Sequence, residues 1–116
     1  MLVGTMKKLL VCAAMLLAAG CAKRPDEIMA APVAVDPYMQ MSCAQLGPLK
    51  MQKEAELARL EKAQFNASEH DKASMSVIHI PVASMTGKDN EEGVARAKGE
   101  VQAINSAYQS KSCVAG

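Results

Sequence analysis

DNEEGVARAKGEVQAINSAYQS, residues 89–110, carries the clearest periodicity in the chain. Val94, Ala97, Val101, Ile104 and Tyr108 follow one another at spacings of 3, 4, 3 and 4, so they line one face of a helix expected over about 90–110. Asp89 with Glu92 reads as a D-x-x-E cap, and Glu91 and Glu92 suit the positive end of the helix. Gly93 and Gly99 each weaken it by about 1 kcal/mol relative to Ala, and would allow a close approach to a neighbour. Cys113 lies off the seam, so the last turn is expected to unwind.

An amphipathic helix must bury its seam against something. The partner is Pro48 to about Ala67 (PLKMQKEAELARLEKAQFNA), rich in strong helix formers. Leu46, Leu49, Lys53, Leu57, Leu60, Gln64 and Ala67 keep the 3–4 spacing, with Lys53 and Gln64 interrupting the stripe. Ser42 and Gln45 have the spacing of a capping box, but Pro48 should break a helix begun there. Gly47 as cap with Pro48 at the first helical position is the expected start, giving a helix over about 48–67.

Between the two helices, Asn66 to Ser74 (NASEHDKAS) is polar, and Met75 to Met85 (MSVIHIPVASM) is apolar and β-branched. Pro81 bars a helix through that second part, which is too short to span a bilayer. It reads as an apolar tip at 75–85. Val77, Ile78, Ile80 and Val82 are the candidates for contact with a partner or a bilayer surface, with core filling as the alternative. The expected fold class is therefore all-α: a two-helix antiparallel hairpin over 42–116, closed by one disulfide.

Composition narrows the function. Of 116 residues only Phe65, Tyr38 and Tyr108 are aromatic, which argues against a deep apolar pocket or a base-stacking surface. Lys7 and Lys8 lie in the leader described next, leaving 11 basic against 12 acidic residues and no basic field for nucleic acid.

Met6-Lys7-Lys8 forms a basic n-region, and either Met1 or Met6 could serve as the start. Leu9 to Ala19 (LLVCAAMLLAA) is an apolar run with the length of a signal-peptide core. It leads into Leu17-Ala18-Ala19-Gly20-Cys21, which resembles the lipobox of bacterial lipoproteins, with Ala18 where Leu is commoner. The resemblance implies that 1–20 is a cleaved signal peptide and that Cys21 is acylated, its covalent lipid being the sole attached group and no cofactor being required. It further implies an outer-membrane location facing the periplasm, since Ala22 rather than Asp follows the cysteine. An ordinary secretory leader with Cys21 as a plain thiol is the alternative. Residues 21–41, with Pro25, Pro32 and Pro37, read as an extended lipidated tether holding the domain off the bilayer.

With Cys12 in the leader and Cys21 acylated, Cys43 and Cys113 remain, and in an oxidising compartment they are expected to pair. A loop of this length is worth about 4 kcal/mol in the chain-entropy model. A bridge to a partner chain is the alternative. A zinc site is disfavoured because no C-x₂-C spacing occurs and the histidines are far apart.

The chain also resembles a group of small, uncharacterised proteobacterial lipoproteins. The carrying residues are Cys21-Ala22-Lys23, Pro25-Asp26, YMQMSCAQL from Tyr38 to Leu46, Ile80 to Met85 before Gly87, and the ending ARAKGEVQAINSAYQSKSC. The chain departs from them at Ala97, where Leu is typical, and in a less hydrophobic run before Pro81. The resemblance implies an anchored helical hairpin and brings with it no established reaction.

No enzyme is expected. Glu69-His70-Asp71 offers a base beside carboxylates, but adjacent residues on a helix point apart and no activated nucleophile accompanies them, so they read as a solvated face. His79 stands alone in an apolar run and reads as structural. Met39, Met41, Met51, Met75, Met85 and His79 are soft ligands that suit Cu(I), although methionine is also a common filler of small cores. The leading expectation is an envelope lipoprotein with a structural or protein-interaction role, bound to the bilayer through Cys21. The alternatives are a copper-binding or stress-buffering lipoprotein and a component of a secretion or phage lysis system.

Overall fold

A computed structural model describes residues 21–113; the leader expected over 1–20 lies outside them. The described residues are helical, with no strand among them. A 3-10 turn at Pro25–Glu27 precedes four α-helices: α1 (Asp36–Met39), α2 (Cys43–Val77), α3 (Val82–Met85) and α4 (Glu91–Ser110).

The long helix α2 corrects the expected boundaries 48–67 at both ends. Its start is the capping box that the proline argument had set aside: the Gln45 amide donates to Ser42 Oγ at 3.2 Å, and the Ser42 amide donates to Gln45 Oε1 at 3.0 Å. Pro48 sits inside the helix, where it forfeits one backbone bond, to the Ala44 carbonyl. Gly47 eases the rest of the conflict, because it has no Cβ to meet the following proline ring. Starting five residues earlier buries Leu46 completely and brings Cys43 to the end of the helix.

At the other end α2 runs ten residues past Ala67. The polar stretch does not stop the helix, because Ser68, Asp71 and Ser74 continue the inward stripe as hydrogen-bonding rather than apolar groups. The helix ends where His79 takes a left-handed φ of 59° and Pro81 follows.

Helix α4 falls where its periodicity put it, with Val94, Ala97 and Ile104 buried. Its cap differs by one residue. Asn90, not Asp89, accepts from the Gly93 amide at 3.1 Å, which frees the Asp89 carboxylate to accept from Gln64. After Ser110, Ser112 turns left-handed; its amide donates to the Gln109 carbonyl and the Cys113 amide to that of Tyr108. This Schellman closure swings Cys113 off the helix to meet Cys43, and the two sulfurs are bonded.

Contacts between α2 and the later part of the chain run in opposite senses: Cys43 with Cys113, Lys53 with Glu100 at 2.9 Å, Gln64 with Asn90 at 2.8 Å, and Asp71 with Ser84 at 3.1 Å. Apolar packing concentrates at the disulfide end. There Leu46, Ile104 and Ala107 are flanked by Val35, Tyr38, Met41, Leu49 and Tyr108. Among the described residues, the opposite end has the small cluster of Ala22, Ala67 and Ala83.

Residues 21–41 are not the free-standing spacer that three prolines suggested. They lie along the helices as a strap. The Ala31 amide donates to the Ala95 carbonyl at 2.8 Å, and Ile28 is buried. Lys98 Nζ donates to the carbonyls of Pro25 and Ile28, and Lys111 Nζ to those of Met39 and Met41. Gly99 makes the seat possible: a Cβ there would fall 2.1 Å from the Ala31 oxygen. Proline removes backbone donors but leaves every carbonyl, and the lysines of α4 and its C-cap supply partners for them.

Candidate functional site

The end of the molecule opposite the disulfide holds the residues singled out for function. Its architecture rests on two buried polar side chains. Gln64 is almost wholly inaccessible and uses its whole amide. Nε2 donates to the Lys23 carbonyl at 2.9 Å and to Asp89 Oδ1 at 2.7 Å, and Oε1 accepts from the Asn90 amide at 2.8 Å. One side chain on α2 thereby ties the strap to the N-terminus of α4.

Asp71, two helical turns further on, is fully buried. Oδ2 accepts from the Ala22 amide at 2.8 Å and from the Ser84 hydroxyl, and Oδ1 accepts from the Ser84 amide at 3.1 Å. Burial pushes its carboxyl up, but the Ser84 hydroxyl and the amides of Ala22, Ser84 and Ala83 outweigh that and hold it below its ordinary value. It is therefore a buried carboxylate satisfied by donors rather than by a counter-ion. Ser74 completes the set, its hydroxyl accepting from the Val82 amide at 3.2 Å.

The expectation of a solvated Glu69-His70-Asp71 face is corrected for one member. Glu69 and His70 are exposed, but Asp71 points inward as the clamp between the strap and α3. Helical geometry makes both true at once, since residues 100° apart face different surroundings. The signal for Asp71 was available: it lies four residues beyond Ala67 on the same stripe.

The clamp acts on Ala22, the residue that follows Cys21. Cys21 itself is partly exposed, and it shares a shallow open hollow of about 390 Å³ with Arg24, Lys72 and Met75. Beyond Asp71 the tip is bare. Val77 is 78% exposed, Ile78 53%, Ile80 42% and Met85 71%, whereas Val82 is half-buried in the first turn of α3. His79 is exposed, its role being the backbone turn rather than a buried side chain.

Of the methionines, Met41 packs against the disulfide-end core and Met51 projects into solvent from α2. Among the described residues no three of His, Cys, Asp and Glu gather as a metal would need, and no helix is long and apolar enough to cross a membrane. No protein-family model matches the chain, and no curated protein or solved structure shows significant similarity to it.

Proposed function

We propose that this is an envelope lipoprotein, acylated on Cys21 and facing the periplasm from the outer membrane, in which an antiparallel helical hairpin serves as a scaffold for a protein partner. The observation that carries this reading is the clamp on Ala22. A folded unit that seals the first amide after Cys21 to a buried carboxylate, while leaving the thiol itself accessible, suits a mature chain whose first residue is Cys21. Two or three acyl chains there, at about 0.8 kcal/mol per buried CH₂, would make release from the bilayer negligible.

The scaffold role follows from shape and chemistry. The stretch of α2 from Asp71 back to Cys43 is about 42 Å long at 1.5 Å per residue, and it joins the anchored end to the disulfide end. That distal end, stiffened by the disulfide and by Lys50 over the Tyr108 ring at 5.9 Å, is the rigid part presented to a partner.

The test is the chemistry of residue 21. Envelopes of cells expressing the full chain are labelled with an alkyne analogue of palmitate, and the N-terminal peptide is weighed. An acylated peptide beginning at Cys21, lost in Cys21→Ser, supports the reading. A free thiol at Cys21, or a mature N-terminus elsewhere, overturns it. Non-reducing electrophoresis of the same envelopes tests for a covalent partner, which would appear as a heavier band that collapses on reduction.

A further inference from the structure

We infer that the bare apolar tip, formed by Val77, Ile78, Ile80 and Met85, is a second bilayer contact that seats the anchored end of the molecule in the lipid interface. The inference rests on the lipid-anchor reading and specifies what the tip does beside it. Four large apolar side chains left exposed between Val77 and Met85 ask for an occupant. What identifies the occupant is the position of Cys21, the residue that carries the acyl chains on that reading. Cys21 is fixed beside the tip, since the Ala22 amide is bonded to Asp71 and Ala22 packs on Ala67 and Ala83. From Asp71 the helix rises only about 9 Å to Val77 at 1.5 Å per residue, and Met75 lines the same hollow as Cys21. Acyl chains on that cysteine would enter the bilayer within reach of the tip, and the apolar side chains would meet lipid without further movement.

The short, turn-bounded form of the tip suits an interface rather than a span. The left-handed backbone at His79, followed by Pro81, ends α2 and leads the chain into α3 within a few residues, with the apolar side chains exposed. The same polar network that holds Ala22 holds α3: Asp71 takes the Ser84 amide and Ser74 the Val82 amide. Anchor and tip therefore move as one body. A lipid attached through a loose spacer would leave the helices free to tumble, whereas two adjacent contacts set their direction, with the disulfide end pointing away from the membrane.

The test uses a diazirine photoprobe residue placed singly at positions 77, 85 and 51 in the full chain, expressed in bacterial envelopes. Correct folding is checked by the reduction-sensitive mobility of the disulfide-closed form. Irradiation is expected to give phospholipid adducts at 77 and 85 and none at 51, which is 73% exposed near the other end of α2. In a second arm, Ile78→Asp with Ile80→Asp is expected to abolish the lipid adduct at 77 while the folded band persists. Protein adducts at 77 would assign the tip to a protein partner and overturn the inference. Equal lipid adducts at 51 would mean that the helices lie flat, and no adduct at any position would mean that the tip stays in water; both outcomes overturn it. The mass of the Cys21 peptide, measured on the same samples, reports separately whether the anchor reading stands.

Discussion

Replacing Asp71 with Asn changes one atom and keeps the shape, so it isolates what the buried charge does. The carboxylate accepts three bonds in a site with no exposure, two from backbone amides and one from a hydroxyl. The Ser84 hydroxyl can rotate and accept from the new Nδ2, but the two amides cannot reverse. Whichever way the Asn is turned, either the Ala22 or the Ser84 amide faces an N–H. A buried donor left unpaired costs about 1–3 kcal/mol, and the surviving bond loses its charge assistance. We expect a total loss of about 2–4 kcal/mol. That is a large part of a stability that typically totals about 5–15 kcal/mol. Urea unfolding in mild detergent, followed by far-ultraviolet circular dichroism, measures it. Native-state hydrogen exchange locates it, through lost protection at Ala22 and Ser84.

The same carboxylate fixes a pH dependence. Its folded value lies below its ordinary 3.8, so its contribution is present at every pH above that ordinary value and is lost as pH falls through the folded one. Wild-type stability should hold from neutral pH to about 4 and then decline, and the decline should be shallower in Asp71→Asn. A variant within about 0.5 kcal/mol of wild type, with the same acid profile and intact Ala22 protection, would refute the clamp.

Three further outcomes follow from other parts of the fold. Cys43→Ser or Cys113→Ser should cost about 4 kcal/mol for a loop of this length, read as a lower urea midpoint, and should remove the mobility shift on reduction. Gly99→Ala, which at an open helix position would gain about 1 kcal/mol, should instead destabilise by about 1–3 kcal/mol, because the added Cβ meets the Ala31 backbone oxygen; increased proteolysis within 25–35 would report the displaced strap. Lys53 is hydrogen-bonded to Glu100 and Glu56, whose pull outweighs partial burial and raises its ammonium above the usual value. That contribution is present below the ordinary lysine value and is lost only as pH rises through the raised one. The pair is largely solvent-screened, so Lys53→Leu should change stability by no more than about 1 kcal/mol in either direction at pH 7, measured by thermal unfolding.

Residues 89–110 show why part of this fold was legible. A seam of Val94, Ala97 and Ile104 at helical spacing has one way to be buried, and it specifies a helix whatever lies opposite. The pairing of Cys43 with Cys113 was expected on the reading of the chain as exported, with a bridge to a partner as the alternative, and the two sulfurs are bonded to each other. The first helix was harder, since its inward stripe carries half-exposed Lys53 and buried Gln64, Ser68 and Asp71 among its leucines and alanines, leaving almost no net amphipathicity. A rule that equates polar with exposed ends that helix at Ala67. The opposite error arose at Pro48, where a local penalty outweighed the capping box in the argument but not in the molecule.

The sequence by itself determined the helical class, the span of the second helix and the apolar character of Val77, Ile78, Ile80 and Val82, because each depends on short spacings or on residue chemistry alone; it favoured the pairing of Cys43 with Cys113, which the structure decided. Only the tertiary structure decided that 21–41 is a strap, that Asp71 is buried, and that Cys21 and the tip lie at the same end. These are matters of contact between residues 49 and 73 positions apart, such as Ala22 with Asp71 and Pro25 with Lys98. No local pattern encodes a backbone amide finding a distant carboxylate. It is the laying of the strap along the helices that brings them within a hydrogen bond.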